Sequence, residues 1–119
     1  MNDIYTISHR DWTEVENGVT YATEMKHLLT MPLMDGKSAM VVFPSCDCAI
    51  EFLGQWRKAP AFAAVTFRSD EKMIEQLQEL ADDVKANCQC VLTNYRSGGT
   101  FEKILSISDF IKQWVDKKG

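Results

Sequence analysis

The 119-residue sequence predicts an α/β (α+β) domain with a mixed central sheet: an N-terminal helix and a three-stranded meander, then a helix–strand–helix–hairpin–helix unit. Three observations predict it. Val19–Met25 alternates with the period of a strand, Ala39–Phe43 is a continuous apolar run that needs cover on both faces, and an amphipathic stripe follows Ser69. The length predicts a single domain over residues 1–119, large enough to form a core without metal or disulfide staples.

The elements follow in order. Ile4 to Glu16 places Trp12 and Val15 at helical spacing ahead of Asn17-Gly18, which reads as a helix stop. Val19, Tyr21, Thr23 and Met25 share one face of the first strand. Leu28 to Leu33 forms the second, and Asp35-Gly36 turns the chain into Ala39–Phe43, because a type I′ turn needs positive φ at both central residues. Ser45 or Asp47 caps the next helix, whose buried stripe is Ala49, Ile50, Phe52, Leu53 and Trp56. Ala59-Pro60 stops it before a strand over Phe62–Phe67. Ser69-Asp70-Glu71 opens the clearest helix, with Met73, Ile74, Leu77, Leu80, Ala81 and Val84 on one side and Glu75, Gln78, Glu79, Asp82 and Lys85 on the other. Asn87 ends it. Cys90–Tyr95 and Thr100–Leu105 form a hairpin through Arg96-Ser97-Gly98-Gly99, and Ser108-Asp109 starts a last helix striped by Phe110, Ile111, Trp114 and Val115.

Hydrophobic residues make up 45% and charged residues 25%, a globular composition. A net charge of −4 gives no basic face for nucleic acid. No apolar run reaches the roughly 18 residues of a membrane span, and Met1-Asn2-Asp3-Ile4 does not begin a signal peptide. The expectation is a cytoplasmic protein whose four cysteines are thiols.

The candidate chemistry lies first in two Cys-x-Cys pairs, Cys46-Asp47-Cys48 and Cys88-Gln89-Cys90. The first sits at a helix start, where the dipole lowers a thiol pKa, and is a candidate redox dithiol. The second begins a strand, where its side chains would share a face. Together the four are an alternative zinc set, although structural zinc favours two to four residues between paired ligands. Against both stands the reading of free cysteine as a small buried hydrophobe. His9 and His27, the only histidines, fall near a helix start and in a connection, and read as solvated turn residues rather than general bases. The carboxylates lie on helix faces, and Asp35-Gly36 and Ser97-Gly98-Gly99 are turns rather than phosphate loops. No catalytic residue is assigned, and no cofactor is expected. Trp12, Trp56 and Trp114 fall on helix stripes, so core is their default, and an exposed one would mark an interface. Trp56, Arg57, Lys58 and Tyr95 form a candidate basic–aromatic binding rim.

Several stretches resemble a family. Met31 to Ser45, with its Gly36-Lys37 hairpin, hydrophobic strand, Phe43-Pro44 end and Ser45-led helix, is similar to bacterial proteins of domain-of-unknown-function family 2750. Trp12–Tyr21, Ala59-Pro60-Ala61-Phe62 and Asn94–Gly99 match further pieces in the same order, so the likeness covers residues 11–115. The layout is also similar to the N-terminal domain of SseB-like secretion-associated proteins. Both resemblances imply the fold and neither implies a reaction. The order of elements from Ala39 onward resembles a thioredoxin-like core, which implies a redox role for Cys46 and Cys48.

The leading expectation is a small intracellular binding or regulatory protein that acts by protein–protein interaction, without catalysis. Its partner would be another protein, neither nucleic acid nor membrane, and the class analogy is to toxin-immunity and adaptor proteins. The acidic face of the Asp70–Asn87 helix would suit a basic partner. The alternative is a thioredoxin-like thiol protein.

Overall fold

The computed structural model describes residues 4–24, 27–33, 36–55, 59–67, 71–83, 88–96, 98 and 100–116. The fold is α+β, with eight strands and three α-helices among the described residues: β1 (Ile4–His9), β2 (Thr13–Glu16), β3 (Val19–Ala22), β4 (Thr30–Pro32), β5 (Ser38–Val41), α1 (Cys46–Gly54), β6 (Phe62–Phe67), α2 (Glu71–Asp82), β7 (Cys88–Arg96), β8 (Thr100–Ser106) and α3 (Ile107–Asp116).

The expected N-terminal helix is not formed. Ile4 to His9 is a strand, Arg10–Trp12 one 3-10 turn, and Thr13–Glu16 a second strand. Asn17 (φ 53°) and Gly18 (φ 81°) are both left-handed and close a β2–β3 hairpin, so this pair turns strands instead of stopping a helix. The supposed helical stripe would have buried Val15, which is 71% exposed. What pulls Ile4–His9 into a strand is distant: it pairs antiparallel with β6, from Ile4 opposite Phe67 to His9 opposite Phe62.

The central sheet is two sheets rather than one. Their strand orders are β1-β6-β3-β2 and β4-β5-β7-β8. The expected three-stranded meander is divided between them, because β3 pairs with β2 and β6, whereas β4, among the described residues, pairs with β5. A short seam joins the sheets. The Phe43 amide donates to the Tyr5 carbonyl at 2.9 Å, the Leu29 amide to the Ile7 carbonyl at 2.8 Å, and the buried Thr6 hydroxyl to the Val41 carbonyl at 2.6 Å. That last bond satisfies a hydroxyl that would otherwise be costly to bury.

Helices cover both faces. Met40, Leu77, Val91, Ile107 and Trp114 belong to one core, with α2 and α3; Ile7, Val41, Phe43, Ala49 and Phe52 belong to the other, with α1. Successive residues Met40 and Val41 enter opposite cores, as strand alternation requires, which is why Ala39–Val41 is apolar without a break. Ser45 caps α1 by accepting from the Cys48 amide at 3.3 Å. Ala49 and Phe52 are buried as expected, but Ile50 of the expected stripe is exposed. On α2, Met73, Leu77 and Leu80 are buried and Glu75, Gln78, Glu79 and Asp82 exposed, as its periodicity predicts; Val84, Lys85 and Asn87 lie outside the described residues. Ser106, two residues earlier than Ser108, caps α3 by accepting from the Asp109 amide at 3.1 Å.

Candidate functional site

The four cysteines do not come together. Cys46 is exposed at the first residue of α1, and Cys48 is half-buried against the α1 core. Side chains two apart on a helix do not face each other. Cys88 is buried in the opposite core with Leu77 and Ile107. Cys90 does not share its face, contrary to the strand reading. Ser38 pairs with Cys88 but Ala39 with Cys90, so Gln89 is an extra residue, a bulge that turns the two thiols to opposite sides. The two Cys-x-Cys pairs also lie at opposite ends of β5, because Cys88 and Cys90 are level with Ser38 and Ala39 whereas Cys46 follows Phe43. Four strand residues span about 13 Å, too far for thiolates that must each reach one zinc at about 2.3 Å. Among the described residues no three His, Cys, Asp or Glu side chains form a group able to hold a metal ion. Burial pushes the Cys88 thiol pKa up, with a smaller push from Cys90 and an opposing hydrogen bond at Met40.

Of the candidate basic–aromatic rim, Trp56, Arg57 and Lys58 lie outside the described residues. Tyr95 is half-buried at the end of β7, where its hydroxyl donates to Glu51 Oε1 at 3.1 Å; the Gly98 amide donates to the same oxygen at 3.3 Å. Glu51 thereby ties α1 to the β7–β8 turn. The ring joins Phe43, Phe52 and Phe101, with centroids 5.2 to 6.0 Å away and tilted or edge-on, the geometry that ring quadrupoles favour. Strict alternation would instead carry Tyr95 to the face of Val91. Asn94, with φ 56° and absent from the β7–β8 pairing register, interrupts that alternation.

Beside Tyr95 a groove of about 360 Å³ opens between α3 and the ends of β5 and β7. Ile4, Phe43, Phe110 and Trp114, all buried, floor it, and Thr93, Asn94, Lys103 and Gln113 contribute its polar groups. No reading of a contiguous segment finds it, because its walls come from β1, the segment after β5, β7, β8 and α3.

A second surface surrounds Trp12. This indole, expected in the core, is 39% exposed. It stacks on the His27 imidazole, centroids 4.0 Å apart and planes within 4°. His27 is thus a half-buried platform rather than a solvated turn residue. Its Nε2 is shielded from solvent, lies 3.6 Å from Glu24 Oε2 and makes no hydrogen bond among the described residues. Glu24 in turn lines an acidic cleft of about 450 Å³ with Glu75, Glu79 and Asp83 of the α2 region, where Lys72 is the one cation among the described lining residues. His9 stays at the surface and caps the 3-10 turn, its Nδ1 accepting from the Asp11 amide at 3.4 Å.

None of the described helices is long and apolar enough to cross a membrane. Comparison with protein-family models, curated proteins and solved structures finds no match for this chain.

Proposed function

We propose that the protein is a non-enzymatic binding or regulatory module that acts by protein–protein contact, in the manner of an adaptor or toxin-immunity protein, and that it receives a basic partner. One observation carries this reading: the exposed Trp12 continues through His27 and Glu24 into the acidic cleft of Glu75, Glu79 and Asp83. An accessible tryptophan beside a cluster of one charge sign supplies an anchor and an electrostatic guide, the two components that protein interfaces combine. The excess of acidic residues over the whole chain, net −4, favours the same partner.

Affinity capture from the source cell tests it, with the wild type, Trp12→Ala and the Glu75→Lys/Glu79→Lys pair as baits. The expected outcome is a basic protein retained by the wild type, released at high salt and lost with either variant. A partner captured equally by all three, or no partner, would defeat the reading.

Exposure of Cys46 at the start of α1 supports a second reading, a thioredoxin-like thiol protein that uses Cys46 and Cys48. Reversible cycling of that pair with dithiothreitol at a defined potential would give it precedence; slow alkylation of both thiols at neutral pH would eliminate it.

A further inference from the structure

We infer that the groove beneath α3 is a binding site for a small apolar monocarboxylate, with Lys103 as the group that receives its anionic head. Its volume, about 360 Å³, lies within the range of pockets that hold small molecules. The construction is amphipathic. Ile4, Phe43, Phe110 and Trp114 are buried and offer an apolar, largely aromatic floor, while Lys103 and Gln113 stand exposed at the rim. Phe110 and Trp114 stack at 26° along the floor, which suits a flat or extended apolar body.

Charge selects the head group. Lys103 is the only charged side chain among the described residues lining the groove, in a protein whose overall charge is −4. It forms no ion pair among the described residues, and the neighbouring carboxylate, Glu102, is engaged by Arg96 at 2.7 Å. A single ammonium beside neutral amide and hydroxyl groups matches a monoanion. A phosphate, with nearly two charges, is usually met by arginine forks or a helix N-terminus, and neither lines this groove: α3 presents Phe110, Gln113 and Trp114, which lie beyond its first turn. Thr93 sits directly across from Lys103 in the β7–β8 ladder, so its hydroxyl is on the same face as the ammonium. The floor excludes water from the ligand body and the rim pairs its head.

This site shares no lining residue with the Trp12 surface, so the two proposals fail independently. The test is titration of the full chain with octanoate, 3-phenylpropionate and octylammonium, followed by amide chemical shifts and calorimetry. The expected result is saturable binding of one or both carboxylates, with shifts concentrated at Thr93, Lys103, Gln113 and Trp114, and no octylammonium-induced shifts at those four residues. Octanoate alone would identify an alkyl ligand and 3-phenylpropionate alone an aryl one. Lys103→Gln should weaken carboxylate binding about tenfold, the order expected for loss of a charge-assisted hydrogen bond, and Lys103→Glu should transfer preference to octylammonium. Lys103 is exposed, so these variants should retain the wild-type fold, which the same spectra verify. No carboxylate binding at millimolar concentration, equal octylammonium-induced shifts at Thr93, Lys103, Gln113 and Trp114 in the wild type, or indifference to Lys103→Gln would each overturn the inference.

Discussion

Cys46 and Cys88 carry the same side chain into opposite surroundings, one exposed at the start of α1 and the other buried with Leu77 and Ile107. Because the thiolate is the reacting form, access and pKa act together. Cys46 should therefore be alkylated first and Cys88 last, and mass mapping after brief iodoacetamide treatment checks the order. The Cys88 shift has a consequence for stability. Burial holds its folded pKa above the ordinary 9.0, so the neutral thiol is favoured in the fold and its contribution is fully present below that value. As pH rises through the raised folded pKa the contribution is lost, since the unfolded chain ionises first. Urea unfolding should show stability declining above about pH 9, and Cys88→Ala should flatten that decline. Thr6 is the other telling residue. Thr6→Val keeps the shape but removes the hydroxyl that donates to the Val41 carbonyl across the seam; a loss of about 1–3 kcal/mol is expected in the same assay.

Among the elements, the β2–β3 hairpin depends on its turn. A Cβ at Gly18 would meet nothing within 4 Å, so the cost of Gly18→Ala is one of backbone alone at φ 81°. Placing an L-residue in the left-handed region costs about 1–2 kcal/mol, and amide exchange should accelerate over Thr13–Ala22 more than over β7 and β8. The difference arises because β2 is an edge strand that, among the described residues, is held by β3 alone, whereas β7 lies between β5 and β8.

For the whole molecule, the two described tryptophans separate stability from the proposed recognition. Trp114 is buried among Phe110, Ile111 and the sheet, so Trp114→Ala should cost about 3–5 kcal/mol. Trp12 is stacked but open to solvent. Trp12→Ala should change stability by less than about 1 kcal/mol, measured by thermal or urea unfolding, while abolishing partner capture. Equal destabilisation by both would mean that Trp12 is structural. Capture through the acidic cleft should also weaken steeply between low and high salt, because exposed charges are screened over about 10 Å at 0.1 M.

Wherever a local pattern sufficed, the sequence alone determined the outcome. The 3.6-residue stripes of α2 and α3, the positive-φ turn at Gly36, the Gly98 turn between β7 and β8, and the doubly covered run at Ala39–Val41 all follow from residues close together in the chain. Pairing between distant segments needed the tertiary structure. Ile4–His9 is a strand because β6, some sixty residues on, completes its hydrogen bonds, and no local period records that partner. The fold class was therefore legible, but the division into two sheets was not. The same holds for the site. Spacing made the Cys-x-Cys pairs visible, yet one extra residue at Gln89 decided that Cys88 and Cys90 face apart. The exposure of Trp12 and the groove around Lys103 were decided by how separate segments meet. Side-chain identity is written locally, whereas which side chains share a face or a cavity follows from the register and crossing of elements far apart in the chain.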